Sequence, residues 1–182
     1  MILWRVFPWE PRADPTEAGG ALLFPRSFQG VGRHDNPKRY GCLYASLSAT
    51  SGVAEILAQF RGEPLREAML AVAGTALAIA PLELPNDAEL IDLDEPRVLQ
   101  RERLRPSGVA TRRRDATQAY AERLFDAHPE SAGLRWWSTL ESTWINVTLF
   151  DRAAGVLAAG RPERLTPDQP AVAEAAELLG LA

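Results

Sequence analysis

The sequence is poor in the residues that build covalent or metal-held frameworks. Among its 182 residues there is one cysteine, Cys42, and there are two histidines, His34 and His128. A single cysteine excludes a disulfide framework and an all-cysteine metal site, and it favours a reducing, cytoplasmic compartment. The two histidines are far apart in sequence and neither sits in a motif with ligand spacing, so no zinc site is expected.

Long apolar runs and a basic charge balance are also missing. The longest nearly apolar run, 68–82, is interrupted by Gly74, Thr75 and Pro81, so it is too short to span a bilayer. The formal net charge is −4 and the pI is about 5.3, whereas general nucleic-acid binding requires a basic footprint. There is no Walker loop and no GxGxxG after a predicted strand. We therefore expect neither membrane insertion nor direct nucleic-acid binding.

The apolar content of 46% is ample for one hydrophobic core. The hydrophobic pattern predicts strands at 2–7, 41–45, 77–82, 90–93, 134–137 and 144–150. It predicts helices over 48–60, from 94–96 onward, over 115–127 and over 170–179. The segment 8–28, with four prolines and a Gly-Gly pair, is predicted to be a long loop or a set of turns. Because strands and helices mix without regular alternation, we predict a single α+β domain.

The segment 32–57 carries the most chemical information. It begins with a polar, glycine-rich loop that contains Arg33, continues into a short buried strand with Tyr44, and ends in a helix with Glu55. An arginine, a tyrosine and a glutamate delivered in this way are typical of a site for a phosphorylated ligand. By helical periodicity Glu55 lies opposite the apolar stripe, so it either faces solvent or lines a cleft.

Several other positions are candidates either for ligand contacts or for ordinary structural roles. His34, beside Arg33, is a candidate ligand contact, whereas Cys42 fits an inert core position. Trp136 fits core packing or a stacking surface for a base or nicotinamide ring, and Ser138 follows it as a candidate polar contact. The arginines at 101, 103, 105 and 112–114 are interrupted by acids and lack interleaved aromatics, which favours a solvated surface over a nucleic-acid site.

Taken together, these segments resemble the RES domain, the toxin half of a bacterial toxin–antitoxin pair, named for an arginine, a glutamate and a serine. The similarity runs roughly over 3–152, so we expect a RES core at 1–152 and a C-terminal extension at 153–182 whose short helix packs on the same domain. His34 stands where the family commonly has an aromatic residue, and Trp137 where it often has proline. The motifs that carry the resemblance are Trp4-Arg5-Val6, Gly32-Arg33 with Asn36-Pro37, Leu43-Tyr44-Ala45, Ala54-Glu55, Ala116-Thr117-Gln118, Gly133 to Ser138, and Asn146 with Leu149-Phe150-Asp151.

The resemblance implies an ADP-ribosyltransferase-like fold, with a split mixed β-sheet core and flanking helices, that cleaves the nicotinamide–ribose bond of NAD⁺. It implies Glu55, Arg33 and Ser138 as catalytic residues. The substrate contacts that we infer with it are Arg5, Arg33, Tyr44, His34 and Trp136. No metal or prosthetic group is implied, since NAD⁺ is the substrate, with inorganic phosphate as a co-substrate if the reaction is phosphorolysis.

The resemblance also implies a partner. An Xre-type helix-turn-helix antitoxin would bind the chain and block its cleft, and the complex would bind operator DNA through the antitoxin. Self-association is left open. Two rival functions remain at this point: an ADP-ribosyltransferase with a macromolecular acceptor, and a catalytically silent NAD-binding or regulatory module on the same fold.

Overall fold

The computed structural model describes residues 1–181, so Ala182, the last residue of the predicted extension, lies outside the described residues. Its contacts divide the chain into two compact units. The first unit comprises Met1–Leu23, Ala45–Leu84 and the segment that begins at Ala158. The second comprises Phe24–Tyr44 and Pro85–Leu157.

The secondary structure follows the predicted order of strands and helices. The strands are β1 (Ile2–Pro8), β2 (Cys42–Ser46), β3 (Ala71–Val72), β4 (Thr75–Glu83), β5 (Leu90–Asp92), β6 (Gly133–Trp137), β7 (Ile145–Phe150), β8 (Ala158–Ala159) and β9 (Glu163–Arg164). The helices are α1 (Ala49–Leu57), α2 (Pro96–Arg101), α3 (Pro106–Val109), α4 (Arg114–Ala127) and α5 (Pro170–Leu179). Short 3-10 helices occupy Arg26–Phe28, Ala58–Phe60, Glu67–Leu70 and Asp151–Val156.

The first unit is built on the antiparallel pair β1–β4, whose register runs from Ile2 opposite Glu83 to Pro8 opposite Leu77. Strands β3, β8 and β9 also pair with β4, and the end of β2 pairs with β1. Alternate residues of β1 point inward, as the period of two along a strand requires. Helix α1 packs against β1 and α5 and covers this unit's core.

Both predicted helices of this unit form where local signals place them. Ser48 caps α1, because its side chain accepts the backbone N–H of Ser51 at 3.1 Å. The 3-10 helix that follows α1 ends at Phe60, so the predicted span 48–60 is confirmed. Helix α5 begins at Pro170 and ends before Gly180, whose φ of 69° is the left-handed conformation that favours glycine after a helix.

The proline-rich segment after β1 is a set of turns, as predicted. Backbone N–H groups of Glu10 and Gly20 bond carbonyls within the segment. Gly19 has a φ of +91°, and a Cβ on Gly20 would lie 2.2 Å from the carbonyl oxygen of Asp14, so both positions need glycine. The Arg5 side chain donates to the carbonyl oxygen of Ala21 and so fixes the far end of these turns.

The second unit has the strand order β2, β7, β6, β5. Strand β6 is antiparallel to β7 and parallel to β5, so the sheet is mixed. Helix α4 contributes Tyr120, Ala121 and Leu124 to a core that includes Leu134 and Phe150. The predicted α+β class, with a mixed, open sheet and flanking helices, is confirmed. Among residues 1–181 we find no helix with the length and apolar character needed to cross a membrane.

Candidate functional site

The glycine-rich loop of the second unit, residues 30–35, is held by hydrogen bonds from within the loop and from helix α4. The carboxylate of Asp35 accepts the backbone N–H groups of Gly30 at 2.9 Å and Gly32 at 2.7 Å. From helix α4, the Gln118 amide donates to the carbonyl oxygens of the same two glycines. A Cβ on Gly32 would lie 2.5 Å from the Asp35 carboxylate, so this position has no room for a side chain. The backbone that presents Arg33 is therefore fixed.

The Arg33 side chain is buried and reaches across the unit. Its Nη1 donates to the carbonyl oxygens of Val109 at 2.9 Å and Thr111 at 2.8 Å. The guanidinium carbon lies 4.8 Å from the centre of the Trp136 ring, within the range of a cation–π contact. The backbone carbonyl of Arg33 accepts the Thr117 hydroxyl. The cation is thus preorganised, and it also fixes the segment between α3 and α4.

His34 is fully buried and packs among aromatic rings. Its Nδ1 lies 2.8 Å from the Thr148 hydroxyl and its Nε2 2.8 Å from the Tyr120 hydroxyl. The ring meets Trp136 edge-on at 5.3 Å between centres. Burial, together with the nearby cations Arg33 and Arg114, holds the pKa of His34 well below its usual value. The imidazole is therefore neutral, with one nitrogen donating and the other accepting. A histidine fits here because its ring packs against Trp136 while both nitrogens have hydrogen-bond partners.

Tyr44 is fixed through its hydroxyl. The oxygen donates to the Asp35 carboxylate at 2.6 Å and accepts the backbone N–H of His34 at 2.9 Å. Burial and the neighbouring Cys42 and Asp35 raise the pKa of Tyr44 well above its usual value, so the phenol stays neutral. Cys42 is buried, and burial likewise raises the pKa of its thiol, which is consistent with the predicted inert core position.

Trp136 and Ser138 lie at the end of β6 in the same unit. The Trp136 indole N–H donates to the Thr148 hydroxyl at 3.0 Å, so the ring belongs to the His34 network. Ser138 is buried, and its Oγ accepts the backbone N–H of Leu140 at 3.0 Å. Its own N–H donates to the carbonyl of Trp144, and Ser138 is the first residue of the connection between β6 and β7.

Two of the predicted site residues, Arg5 and Glu55, belong to the first unit. Arg5 is 8% exposed and its guanidinium carbon lies 5.5 Å from the Phe7 ring centre. Burial lowers the pKa of Arg5 to about 10, which still leaves it cationic at neutral pH. Glu55 lies in the second half of α1, on a half-buried face. The opposite stripe of α1 buries Val53 and Leu57, as the periodicity predicts.

The second unit brings Arg33, His34, Tyr44 and Trp136 into one cluster. The roles that we predicted for these residues, and for Ser138, Arg5 and Glu55, in binding or cleaving NAD⁺ stay predictions. The sequence reasoning missed three members of the cluster: Asp35, Tyr120 and Thr148. Thr148 could have been noticed as a polar residue within the otherwise apolar end of β7. Asp35 and Tyr120 carry no such local signal.

Within residues 1–181 there is no group of three or more histidine, cysteine, aspartate or glutamate side chains that could hold a metal ion. His128 follows the last residue of helix α4, and its Nε2 lies 3.0 Å from the buried carboxylate of Glu102. The six arginines predicted to form a solvated surface, at 101, 103, 105 and 112–114, are all exposed.

Comparison with known proteins identifies the family of this chain. The family model described as "RES domain" matches residues 2–171, nearly the whole chain. Among solved structures, a chain in the crystal structure of the M. tuberculosis MbcT–MbcA toxin–antitoxin complex is similar, with a TM-score of 0.69. It is 18% identical, and the alignment covers 98% of this chain and 88% of that chain. No curated protein matches. The match over residues 2–171 shows that the chain belongs to the RES domain family.

Proposed function

We propose that the chain is the NAD⁺-degrading toxin of a bacterial toxin–antitoxin pair. Membership of the RES family supports this proposal, and the observation that carries it is the buried Arg33 cluster at the family's loop. The similarity to a chain in a toxin–antitoxin complex adds support for an antitoxin partner. We take that partner to be of the Xre helix-turn-helix type and to supply the DNA-binding surface of the complex.

In the proposed reaction the bond between nicotinamide and the ribose C1″ breaks, and nicotinamide leaves with the bonding electron pair. Because the ring nitrogen is cationic in NAD⁺, nicotinamide departs as a neutral molecule and needs no proton from a general acid. Water or inorganic phosphate then bonds to C1″ of the ribosyl cation. With water the products are ADP-ribose and a proton; with phosphate the product is ADP-ribose 1″-phosphate.

The proposed roles follow the charges of these species. The Arg33 guanidinium carries a fixed positive charge suited to the pyrophosphate oxygens, and Arg5 is the second candidate. The Glu55 carboxylate would stabilise the developing ribosyl cation, as carboxylates do in glycoside cleavage. Tyr44 and Ser138 would position the ribose. An electrostatic group of this kind is typically worth about 3–4 kcal/mol in the transition state.

The test is incubation of the purified protein with NAD⁺, with and without phosphate, while nicotinamide and the ribosyl product are measured. We expect Glu55→Gln to release nicotinamide about a hundredfold more slowly or worse, with an unchanged melting temperature. The matched control is Glu63→Gln, which neutralises an exposed glutamate beyond α1 and should keep full activity.

Each other outcome rejects a defined part of the proposal. Full activity of a folded Glu55→Gln variant would refute the role of Glu55. If label from NAD⁺ moves onto protein or nucleic acid in a lysate, the chain is a transferase. If NAD⁺ binds to the folded protein without nicotinamide release, it is a silent binding module.

A further inference from the structure

The second unit concentrates positive charge in one surface segment. Seven of the chain's 20 basic residues fall within 97–114, but only one of its 24 acidic residues does. The segment therefore carries a net charge of +6 in a chain whose net charge is −4. That single acid, Glu102, is 7% exposed and is already bonded to Arg101, Arg123 and His128. It does not neutralise the outward-facing arginines.

Five of the seven arginines lack a partner of opposite charge: Arg97 in α2, and Arg103, Arg105, Arg112 and Arg114 after it. The last four are exposed, and within residues 1–181 none of their side chains makes a hydrogen bond or an ion pair. By contrast, the neighbouring Arg113 forms an ion pair with Asp115 at 2.6 Å. Like charges without acidic partners repel one another in the free protein. Binding of an anionic partner would reduce this repulsion.

The arginine segment is also held in a defined conformation. Arg33 donates to the carbonyls of Val109 and Thr111, which fixes the turn between Arg105 and Arg112. The four-residue helix α3 lies between these two arginines. The charges are therefore presented on an anchored backbone.

Two exposed apolar residues lie just before Arg33 in the loop that adjoins this segment. Phe28 and Val31 are each 86% exposed, the highest exposure among the large hydrophobic residues of the described chain. The glycines on either side of Val31 make four hydrogen bonds, two to Asp35 and two from Gln118, which hold the backbone in the conformation that exposes its side chain. Gln118 lies one helical turn after Arg114, which places Val31 beside the positive end of α4.

We propose that this surface, formed by Phe28, Val31, Arg103, Arg105, Arg112 and Arg114, docks an acidic polypeptide segment that carries large apolar side chains. An extended acidic segment complements both the positive charges and the two apolar residues. Nucleic acid fits less well, because 97–114 contains no aromatic residue for stacking and the rest of the chain has a net charge of −10. A short peptide stays within the positive patch, whereas a long polyanion would meet the acidic remainder.

We take the antitoxin to supply this segment, and in that respect the inference rests on the proposed function. The probe is a labelled synthetic peptide of about ten residues that alternates glutamate with leucine, long enough to span roughly 35 Å when extended. Binding to the full-length protein is followed by fluorescence anisotropy over a range of salt concentrations. Peptides with serine in place of leucine, or lysine in place of glutamate, and a DNA duplex serve as comparisons.

We expect the glutamate–leucine peptide to bind and to weaken with salt. The double variant Arg112→Glu/Arg114→Glu should weaken binding about tenfold or more, and Val31→Ser should weaken it without changing the salt dependence. The matched control Arg61→Glu reverses an exposed arginine of the first unit and should bind like the wild type. Urea unfolding checks that each variant remains folded.

Several outcomes would overturn the inference. These are failure of the folded wild type to bind the peptide, equal binding by Arg112→Glu/Arg114→Glu, or tighter binding of the duplex through the same arginines. Peptide binding does not require NAD⁺ turnover, so it is scored separately from nicotinamide release. A protein that releases nicotinamide but ignores the peptide would refute this surface alone.

Discussion

The buried imidazole of His34 makes stability depend on pH in a defined direction. In the folded chain both ring nitrogens are bonded, to Thr148 and Tyr120, and the pKa is held well below the ordinary value by burial, Arg33 and Arg114. In the unfolded chain the same histidine titrates near 6.5. As the pH falls below 6.5, the unfolded state takes up a proton that the folded state does not, so the free energy of unfolding decreases.

The size of the effect follows from one proton. Each pH unit below 6.5 removes up to about 1.4 kcal/mol, so lowering the pH from 6.5 to 4.5 costs up to roughly 2.7 kcal/mol from His34 alone. Above a pH of about 7.5 both states are neutral at this residue and the contribution disappears. Small domains have about 5–15 kcal/mol of stability in total, so the loss is easily measured.

The assay is urea unfolding followed by tryptophan fluorescence at pH 7.5 and 4.5 for the wild type and for His34→Phe. The variant keeps the ring packing, loses the titrating group, and is less stable at both pH values because two hydroxyls lose a partner. Between the two pH values we expect the wild type to lose more stability than the variant, by up to roughly 2.7 kcal/mol. The control His128→Gln keeps His34 and so retains its contribution. Equal losses for the wild type and His34→Phe would refute the reasoning.

Three further substitutions test how the fold is anchored. Arg33→Ala should lower the free energy of unfolding by about 3 kcal/mol, because two carbonyls lose a charged donor; a loss under about 1 kcal/mol in urea unfolding would contradict this anchoring role. Tyr44→Phe should cost about 1–3 kcal/mol because Asp35 loses its hydroxyl donor, and unchanged stability in the same assay would rule that out. Ser48→Ala should cost about 1 kcal/mol through the lost cap of α1, and the cap is unimportant if the melting temperature does not fall.

The longer elements could be predicted from sequence because their signals are local. A capping serine and a stripe of apolar residues defined 48–60, and a proline and a glycine bracket the terminal helix. The strands and α-helices that escaped prediction were α3, β3, β8 and β9, which contain four residues or fewer. Elements this short have no periodicity of their own, and they form because β4 or the packed core provides their partners.

The predicted site likewise has features that the local sequence determines and features that only the tertiary structure decides. The sequence by itself determined that an arginine, a tyrosine and a glutamate would follow one another through a loop, a strand and a helix, because motif order is a property of the chain. Only the tertiary structure decided that Arg33 bonds residues 76 and 78 positions away, and that His34 becomes neutral between Tyr120 and Thr148. Such contacts depend on burial and on which distant segments pack together, and neither quantity is present in a local pattern.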